Sequence, residues 1–453
     1  MDFDHLAEQR SDKVFQVWLQ NLIRNSPEEL AGQLAAKHRP GTPTTASLFS
    51  NGAFNVCYRV TFQDGFRVLV RFTALGRVVF RNEKLEDEVA IMNYLAQNTA
   101  IPVPKVLGSG KCAVGPYIVM TIIEGTPLSR YLRDPLKGTI TLNPKISESD
   151  LKRAYYGMAQ IMLELAKPAF PFIGALGQNE LGAWTVKKRP LNFNMNRLAQ
   201  FSNIPPGIFA KQRFTNAADY FEELAKQHLY HLEHQRNDAV TDEADCRKKY
   251  IARCLFRKIS REVSKEHCNG PFRLFCDDLR PDNVLVDTSR SIVTGVIDWE
   301  FTYAAPAEFI YTAPWWLLLE RPEEWEPDLN QFLVRYIPKL RIFLEALREC
   351  ETAKINEGSL SDSQRLSGAM ENSMENGLFW VCLAARHSSM FDEIYWTFID
   401  RKYYGPFTTI QDRMDLLNEE ERVNLDGFVQ KKMQQAREGN LVSHQTVDEM
   451  LNL

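Results

Sequence analysis

Acid and amide side chains are concentrated in the stretch FCDDLRPDNVLVD, at 275–287, where they precede a strand-forming run. Asp277 and Asp278 are adjacent, Asn283 follows five residues after Asp278, and Asp298 lies farther on in VIDWE. Carboxylate and amide oxygens are hard ligands of the kind that Mg²⁺ prefers, and Mg²⁺ commonly completes its shell with water and substrate phosphates. The residue types therefore indicate metal-assisted chemistry on a phosphate group.

A β-hairpin would bring the amide and the distant acid together. NVLVD is expected to form one strand, TSRS the turn and IVTGVID the return strand. Folding about this turn places Asn283 almost directly across from Asp298, and opposite residues have Cβ atoms only ~5 Å apart. We therefore predict that Asn283 and Asp298 hold one cation between them.

The spacing of the first acid matches a known kind of catalytic loop. In the D-x-x-x-x-N loops of kinases, the Asp accepts the proton of the acceptor hydroxyl, while the Asn and a later Asp hold the metal. This spacing selects Asp278 as the catalytic acid, because Asp277 is one residue too far from Asn283. The alternative is an acid-rich turn that leads into a buried strand and has no catalytic role.

Residues earlier in the chain offer a binding site for a phosphate tail. The loop SNGAFNVCYRV contains Gly52, Phe54 and Asn55, and its backbone N–H groups can face phosphate oxygens. Arg71 follows in the strand RVLVRF, and Glu88 follows in a helix-forming run. Kinases pair a strand cation with a helix carboxylate to hold the α- and β-phosphates. Taken singly, the loop is equally well an ordinary hairpin turn, and Arg71 an ordinary strand residue.

The elements that must position these residues follow a simple order. The pattern of residues 1–45 predicts a helical extension. The pattern of residues 46–126 predicts a strand-rich, nucleotide-binding region, in which the D-G turn at 64–65 joins two strands. Helical patterns dominate 127–453; they continue to about residue 267 and resume after the strand pair at 272–298. The chain is thus predicted to be α+β, with a small lobe built on an antiparallel sheet and a large, mainly helical lobe.

Composition excludes several classes of protein. The chain has 453 residues, 44% of them apolar and 25% charged, as expected of a folded globular protein. Its formal charge of −4 argues against nucleic-acid binding, and no apolar run approaches the ~20 residues of a membrane span. The eight cysteines are scattered, and the first residues lack the apolar core of a secretory signal. A cytoplasmic protein with free thiols is therefore expected.

Three histidines recur at three-residue steps in QHLYHLEHQRND, namely His228, His231 and His234. Such spacing would suit metal ligands on one helix face, but no nearby Cys or second carboxylate completes a ligand set. A solvated helix face is the favoured interpretation.

The ordered set of motifs resembles one family. SNGAFNVCYRV, RVLVRF, the helix around Glu88, CDDLRPDNVLVD and VIDWEFTYAAPAEF resemble the aminoglycoside phosphotransferase-like kinases, and most of all their fungal branch. This protein-kinase-like group includes the choline kinases, and the similarity spans about 46–310. Family members usually carry H-G-D-L-x-P-x-N in the catalytic loop. Here Cys276 replaces the His and Asp277 the Gly, whereas Asp278 and Asn283 are kept.

The resemblance implies a two-lobed, protein-kinase-like fold and an enzyme that moves the γ-phosphoryl group of ATP, with Mg²⁺, to a hydroxyl of a small molecule. It places Ile122 and Ile123 in the connector that touches adenine. Two alternatives remain open: a pseudokinase-like nucleotide-binding or scaffold protein, favoured by Cys276 and Asp277, and a non-kinase ATP-using transferase on the same fold. The extra acid, Asp277, is expected either to repel phosphate or to face solvent or a cationic acceptor.

The sequence does not specify the acceptor. Aromatic and acidic side chains follow the predicted metal ligand Asp298, and they are Trp299, Glu300, Tyr303, Trp315, Trp316 and Trp325. Walls of this kind would suit an organic cation or an aromatic acceptor. The alternative is that the indoles pack into the core of the large lobe.

Overall fold

The small lobe is built on one antiparallel sheet. The computed structural model describes residues 1–289, 292–442 and 444. Its largest sheet has five strands in the order β1-β2-β3-β5-β4, with β1 (Pro43–Asn51), β2 (Asn55–Phe62), β3 (Arg67–Thr73), β4 (Val106–Cys112) and β5 (Gly115–Thr121). The D-G turn joins β2 to β3 as predicted, and the Phe62 N–H donates to the Phe66 carbonyl at 2.9 Å across it.

Helices cover both faces of this sheet, and they are α1 (His5–Arg24), α2 (Pro27–His38) and α3 (Arg81–Asn98). Side chains of β5 alternate between the two covers, as the period of two in a strand requires. Tyr117 and Val119 pack with α1 and α2, whereas Ile118 and Met120 pack with α3 and the large lobe. The predicted helical extension therefore covers the sheet, and its last three residues already belong to β1.

The large lobe is mainly helical, and the predicted α+β class is confirmed. Its helices are α4 (Leu128–Leu132), α5 (Glu148–Ala166), α6 (Phe193–Phe201), α7 (Ala217–His234), α8 (Glu243–Ser260), α9 (Ala307–Ile310), α10 (Leu329–Asn356), α11 (Ser367–Glu375), α12 (Leu378–Arg386), α13 (Phe391–Ile394), α14 (Asp400–Tyr404), α15 (Ile410–Met414) and α16 (Glu419–Glu438). Short strands complete it, namely β6 (Thr126–Pro127), β7 (Ala175–Gln178), β8 (Trp184–Lys188), β9 (Arg273–Cys276), β10 (Val284–Asp287), β11 (Ile292–Val296) and β12 (Thr302–Ala305).

Two strand assignments differ from the prediction. The helical region expected up to about residue 267 is interrupted by the hairpin β7–β8, whose turn is held by Asn179. The Asn179 carboxamide oxygen accepts from the Leu181 and Ala183 N–H groups at 3.0 and 2.9 Å. This is a turn stabilised by an Asn side chain, and the helical patterns around it did not indicate it. In the predicted strand pair, β9 pairs with β12 and only β10 pairs with β11. A short 3₁₀ segment that begins at Pro281 separates β9 from β10.

The histidine-rich helix α7 is buried, so the interpretation of a solvated helix face is wrong. His228 and His231 are fully buried, and only His234 is partly exposed. Burial and the neighbouring Arg253 lower the pKa of His228 to about 3, and the same two causes lower the pKa of His231. These rings are therefore neutral core residues at physiological pH.

Two expectations from composition can be compared with the structure. All eight cysteines are free thiols, in agreement with the absence of paired spacings. Among the described residues, none of the helices combines the length and the apolar character that crossing a membrane would need.

Candidate active site

The β10–β11 hairpin brings the backbone positions of the predicted metal ligands Asn283 and Asp298 near each other, with a shift of one residue. Val284 pairs with Val296, and the Ile297 N–H donates to the Asn283 carbonyl at 2.9 Å, so Ile297 lies opposite Asn283. Asp298 follows directly and adopts a left-handed backbone with φ of 57°, which is uncommon outside glycine and often marks a functional position. The hairpin thus ends at a turn that carries Asp298.

The predicted catalytic acid lies beside the predicted amide ligand. The Asn283 side-chain N–H₂ donates to the Asp278 carbonyl oxygen at 2.9 Å and to its carboxylate at 3.3 Å. Burial raises the pKa of Asp278, while Arg280 and Arg321 oppose the shift. A carboxyl group whose pKa is raised towards neutral is suited to accept a proton from a hydroxyl. Its role as the base nevertheless stays a prediction.

Arg71 and Glu88 form the predicted strand–helix ion pair. The Arg71 guanidinium on β3 donates to the Glu88 carboxylate on α3, and both side chains are buried. Arg71 also lies 3.1 Å from an Asp298 carboxylate oxygen. Burial alone would lower the pKa of Arg71, but Glu88 and its acidic neighbours outweigh burial and raise it. The cation predicted to hold phosphates therefore stands next to the predicted metal ligand.

Two further charged residues complete this group, and the sequence interpretation did not assign them there. Lys84 is buried on α3, and its ammonium lies 2.8 Å from a Glu300 carboxylate oxygen. The Asn55 carboxamide also donates to Glu300, so the first residue of β2 is tied to the segment after Asp298. The spacing offered a signal for Lys84, because a residue four positions before Glu88 lies on the same helix face. We call Arg71, Lys84, Glu88, Asp298 and Glu300 the interlobe charge cluster.

The interlobe charge cluster contains more acid than base. Carboxylate oxygens of Glu88, Asp298 and Glu300 lie within 4.8 Å of one another, and among the described residues their cationic partners are Arg71 and Lys84. Burial and Glu300 raise the pKa of Asp298 to about 7 against the pull of Arg71. Because 43% of the Asp298 side chain remains exposed, water screens part of this shift.

The donor set of the cluster suits a hard divalent cation. One Glu88 carboxylate oxygen is buried without a hydrogen-bond donor among the described residues. Such an oxygen is costly to leave without a partner. A Mg²⁺ ion bound by carboxylate and amide oxygens would meet this need and would remove the excess negative charge.

The predicted phosphate loop is closed in on itself. The Gly52 N–H donates to the Asn55 carbonyl at 2.9 Å, so this N–H group is already occupied within the turn. The Phe54 ring packs edge-on against Phe193 and Phe301 of the large lobe, with centroids 5.9 and 6.0 Å away. In this conformation Phe54 anchors the loop to the large lobe.

The predicted adenine connector follows β5 and lies against the catalytic hairpin. Ile123 packs over Gly295 of β11, where an added Cβ would come within 2.6 Å of the Ile123 side chain. The Thr294 hydroxyl donates to the Glu124 carbonyl at 2.8 Å. Ile122 and Ile123 are thus held next to β11, and their contact with adenine stays a prediction.

Asp277 is buried and points away from the side on which Asp278 contacts Asn283, which we call the cleft, so the expectations of solvent exposure and of contact with a cationic acceptor are wrong. Its carboxylate accepts from the Phe193 N–H at 3.0 Å and lies 3.5 Å from Arg386 on α12. Adjacent Cys276 is also buried, with its sulfur 3.8 Å from the Glu300 carbonyl. Both departures from the usual loop sequence therefore face the interior of the large lobe, and Asp278 remains in the cleft.

The four tryptophans are core residues, as the alternative interpretation proposed. Each is at most 7% exposed, and they are Trp299, Trp315, Trp316 and Trp325. Glu300 is held by Lys84 and Asn55. The aromatic and acidic wall that would have favoured an organic cation is therefore not formed by these residues.

Comparison with known families agrees with this arrangement. The family described as "Phosphotransferase enzyme family" matches residues 45–309, which is more than half of the chain. The chain belongs to this phosphotransferase family. The matched part contains the whole interlobe charge cluster together with Asp278 and Asn283, whereas Arg321 and Arg386 lie beyond it.

Two curated relatives are distant and longer than the matched region. The clavilactone A biosynthesis cluster protein Y of Ampulloclitocybe clavipes is 25% identical over 277 residues, which cover 58% of this chain and 62% of that protein. The mitochondrial altered inheritance of mitochondria protein 9 of Debaryomyces hansenii is 24% identical over 320 residues, covering 62% of this chain and 50% of that protein. The chain therefore spans less than two thirds of the length of these relatives, which agree with the predicted fungal branch.

Solved structures of small-molecule kinases show a remote likeness. Amicoumacin kinase in complex with AMP-PNP, Ca²⁺ and its ligand is 12% identical, with 90% of this chain and 93% of that one covered and a TM-score of 0.43. Spectinomycin phosphotransferase in complex with ADP and spectinomycin is 12% identical, with 93% and 97% covered and a TM-score of 0.38. Likenesses of this size do not identify the acceptor of this chain.

Proposed function

We propose that this phosphotransferase moves the γ-phosphoryl group of ATP, with Mg²⁺, to a hydroxyl group of a small molecule. The observation that carries the proposal is the interlobe charge cluster, in which three carboxylates surround Arg71 and Lys84 next to Asp278 and Asn283. An excess of hard oxygen ligands beside two buried cations suits a metal-bound polyphosphate.

Each residue has a defined task in this reaction. Arg71, braced by Glu88, would bind phosphate oxygens, and Asn283 and Asp298 would hold the metal, which when bound neutralises charge on the phosphates. Asp278 would accept the hydroxyl proton while the hydroxyl oxygen bonds to the γ-phosphorus and the bond from that phosphorus to ADP breaks. The hydrogen bond that the Asn283 amide donates to the Asp278 carboxylate, at 3.3 Å, supports this role, since it joins the proposed base to a proposed metal ligand.

In the same proposal, the two lobes have different functions. Residues 46–126 would bind the nucleotide, with the loop around Gly52 covering the phosphates after it opens and the backbone at 122–123 contacting adenine. Residues 127–453 would supply the catalytic hairpin and the acceptor region, and 1–45 would support the sheet from behind. This structural role of residues 1–45 agrees with the packing of α1 and α2 against the sheet.

The test combines binding with product mass. Mg²⁺ and ATP together should raise the melting temperature, and this Mg²⁺-dependent increase should vanish in Asp298→Ala while unfolding stays cooperative. The exposed acid Asp362 provides the matched control variant, Asp362→Ala. Incubation with a pool of candidate acceptors should yield a product heavier by one phosphoryl group. A product heavier by a nucleotide would indicate the non-kinase transferase, and ATP binding without any transfer or hydrolysis would indicate the pseudokinase.

A further inference from the structure

Two guanidinium groups flank the predicted catalytic acid. The Arg280 Nε lies 3.1 Å from an Asp278 carboxylate oxygen, and its Nη1 lies 2.6 Å from Asp282. The Arg321 Nη2 lies 3.7 Å from the same oxygen of Asp278. Arg321 lies beyond the region matched by the family, so family membership does not account for it.

Both guanidinium groups have N–H donors without an acceptor among the described residues. Within residues 1–289, 292–442 and 444, the Arg321 guanidinium makes no hydrogen bond, and its contact with Asp278 is an ion pair too long to be one. The Arg280 Nε is buried and also lacks a hydrogen bond, despite its short distance to Asp278. A guanidinium carries five N–H donors in a planar fork that matches the oxygens of a carboxylate or phosphate.

The wall around Asp278 is cationic and aromatic. The Phe193 ring lies beneath the guanidinium groups of Arg321 and Arg197, at 5.9 and 5.6 Å. Arg197 is occupied by an ion pair with Glu323, and Asp282 is occupied by Arg280. Because these acids already have cationic partners, the donors left for a ligand belong to Arg280 and Arg321.

We propose that the acceptor is a hydroxy compound that carries an anionic group, a carboxylate or a phosphate, and that Arg321 with Arg280 binds this group beside Asp278. The inference rests on the proposed function and names the substrate class of the same site. It also replaces an organic cation as the expected acceptor. The γ-phosphate of ATP has the same oxyanion chemistry, so the experiment must separate the two ligands.

Sulfate is a suitable probe in protein saturated with Mg²⁺ and AMP-PNP, because the analogue already supplies the γ-phosphate. Sulfate should raise the melting temperature saturably relative to chloride of equal ionic strength. Arg321→Leu should raise the sulfate dissociation constant about tenfold or more, since hydrogen bonds to charged groups are the strong ones. Arg321→Lys should retain part of the binding, and Arg348→Leu, at an exposed arginine on α10, should behave as the unaltered protein.

Three results would overturn the assignment. One is the absence of a saturable sulfate effect in the unaltered protein, and the second is an unchanged effect in Arg321→Leu. The third is a loss of AMP-PNP affinity with retained ADP affinity in Arg321→Leu, which would place Arg321 on the γ-phosphate. If AMP-PNP fails to bind at all, the proposed function fails. Sulfate titration of the nucleotide-free protein then still shows or refutes the anion site.

Discussion

One cluster of charged side chains lies in the core of the large lobe, and another, the interlobe charge cluster, lies at the cleft. Both contain arginine and carboxylate side chains, but they differ in the balance of positive and negative charge. In the core, Arg253 makes two contacts with Asp392, at 2.7 and 3.1 Å. Burial would raise the pKa of Asp392, but Arg253 outweighs burial and lowers it to about 2. In the interlobe charge cluster, three carboxylates share two cations, and the pKa of Asp298 is raised to about 7.

The difference in charge balance separates a structural pair from the proposed binding site. The buried Asp392 carboxylate needs no further partner, because Arg253 and, at 3.8 Å, the Met1 amino group both compensate its charge. A cluster with excess carboxylate is held at a cost to stability, and perturbed pKa values of this kind concentrate at functional sites. We therefore expect changes in the core pair to alter stability and changes around the cleft to alter binding and catalysis.

The largest expected effect is on catalysis and concerns Asp278. Asp278→Asn should reduce phosphoryl transfer, or slow ATP hydrolysis where no acceptor is known, by about 10²–10⁴, because the base is lost. Binding of Mg²⁺ and ATP should persist, since Arg71 and Asp298 are untouched. Turnover measurements test the loss of catalysis, and nucleotide-dependent shifts of the melting temperature test the retained binding. Full turnover in this variant would remove Asp278 from the mechanism.

The core pair should show the opposite pattern. Arg253→Met removes the nearer cation of buried Asp392 and leaves the Met1 amino group, at 3.8 Å, as its remaining ion-pair partner, so it should lower the free energy of unfolding by up to about 3–5 kcal/mol. Nucleotide affinity of the folded protein should stay the same, because the pair lies outside the cleft. Denaturant unfolding and nucleotide titration at low temperature measure the two quantities. Arg348→Met is the exposed control, and surface changes of this kind usually stay within about 0.5 kcal/mol. A weaker affinity in Arg253→Met would contradict the separation.

Local patterns predicted most of the fold and the pairwise parts of the site. The D-G turn and the order of motifs predicted the sheet, and a strand cation followed by a helix carboxylate predicted the ion pair of Arg71 and Glu88. Each of these signals lies within a short segment or within a recurring order of segments. They could therefore be interpreted without knowledge of tertiary contacts.

Contacts between distant segments could not be predicted from the sequence. Nothing near Asp277 indicates that Arg386, 109 residues later, turns it away from the cleft. The burial of His228 depends on how α7 packs with other helices, and the polar pattern QHLYHLEHQ suggested a solvated face instead. Arg321 likewise reaches Asp278 only through the path of the chain after Trp316.

Charge at position 71 should matter more than the shape of the side chain. Arg71→Met should weaken ATP binding by about 1.5–3 kcal/mol, the size of a hydrogen bond to a charged group, and Arg71→Lys should retain part of the affinity. Isothermal titration with ATP measures the affinity of the three proteins. Because Glu88 is buried, its loss of a partner in Arg71→Met should also lower stability, and Arg71→Lys controls for this effect. Equal affinities would make Arg71 an ordinary strand residue.

Asp277 tests whether a carboxylate next to the catalytic acid can be purely structural. Asp277→Asn removes the charge opposite Arg386 and should lower the free energy of unfolding by about 1–3 kcal/mol, while the amide oxygen can still accept from the Phe193 N–H. Turnover per folded molecule should change only a few-fold. Denaturant unfolding and turnover are compared with those of Asp278→Asn. Loss of turnover with unchanged stability would reverse the two assignments.

The smallest expected effect is on pH dependence, and its sign differs between the two clusters. The pKa of Asp298 is raised from 3.8 to about 7 in the folded protein. Between these values the folded state binds the proton and the unfolded state does not, so this group's stabilising contribution is lost as pH rises towards 7. The pKa of Asp392 is lowered from 3.8 to about 2, so its contribution is present above 3.8 and is lost as pH falls towards 2.

Comparison with Asp298→Asn isolates the first of these dependences. Between pH 5.5 and 7.5, the difference between the unfolding free energies of the two nucleotide-free proteins should change with pH. The slope of this change should be smaller than that expected for the binding of one full proton, because the Asp298 carboxylate is partly exposed and screened. Stabilisation by Mg²⁺ and ATP should run the other way and strengthen with pH over this range, since metal binding requires the deprotonated carboxylate. Identical pH profiles for the two proteins would show that Asp298 is ionised throughout. The interlobe charge cluster would then differ from the core pair in composition alone.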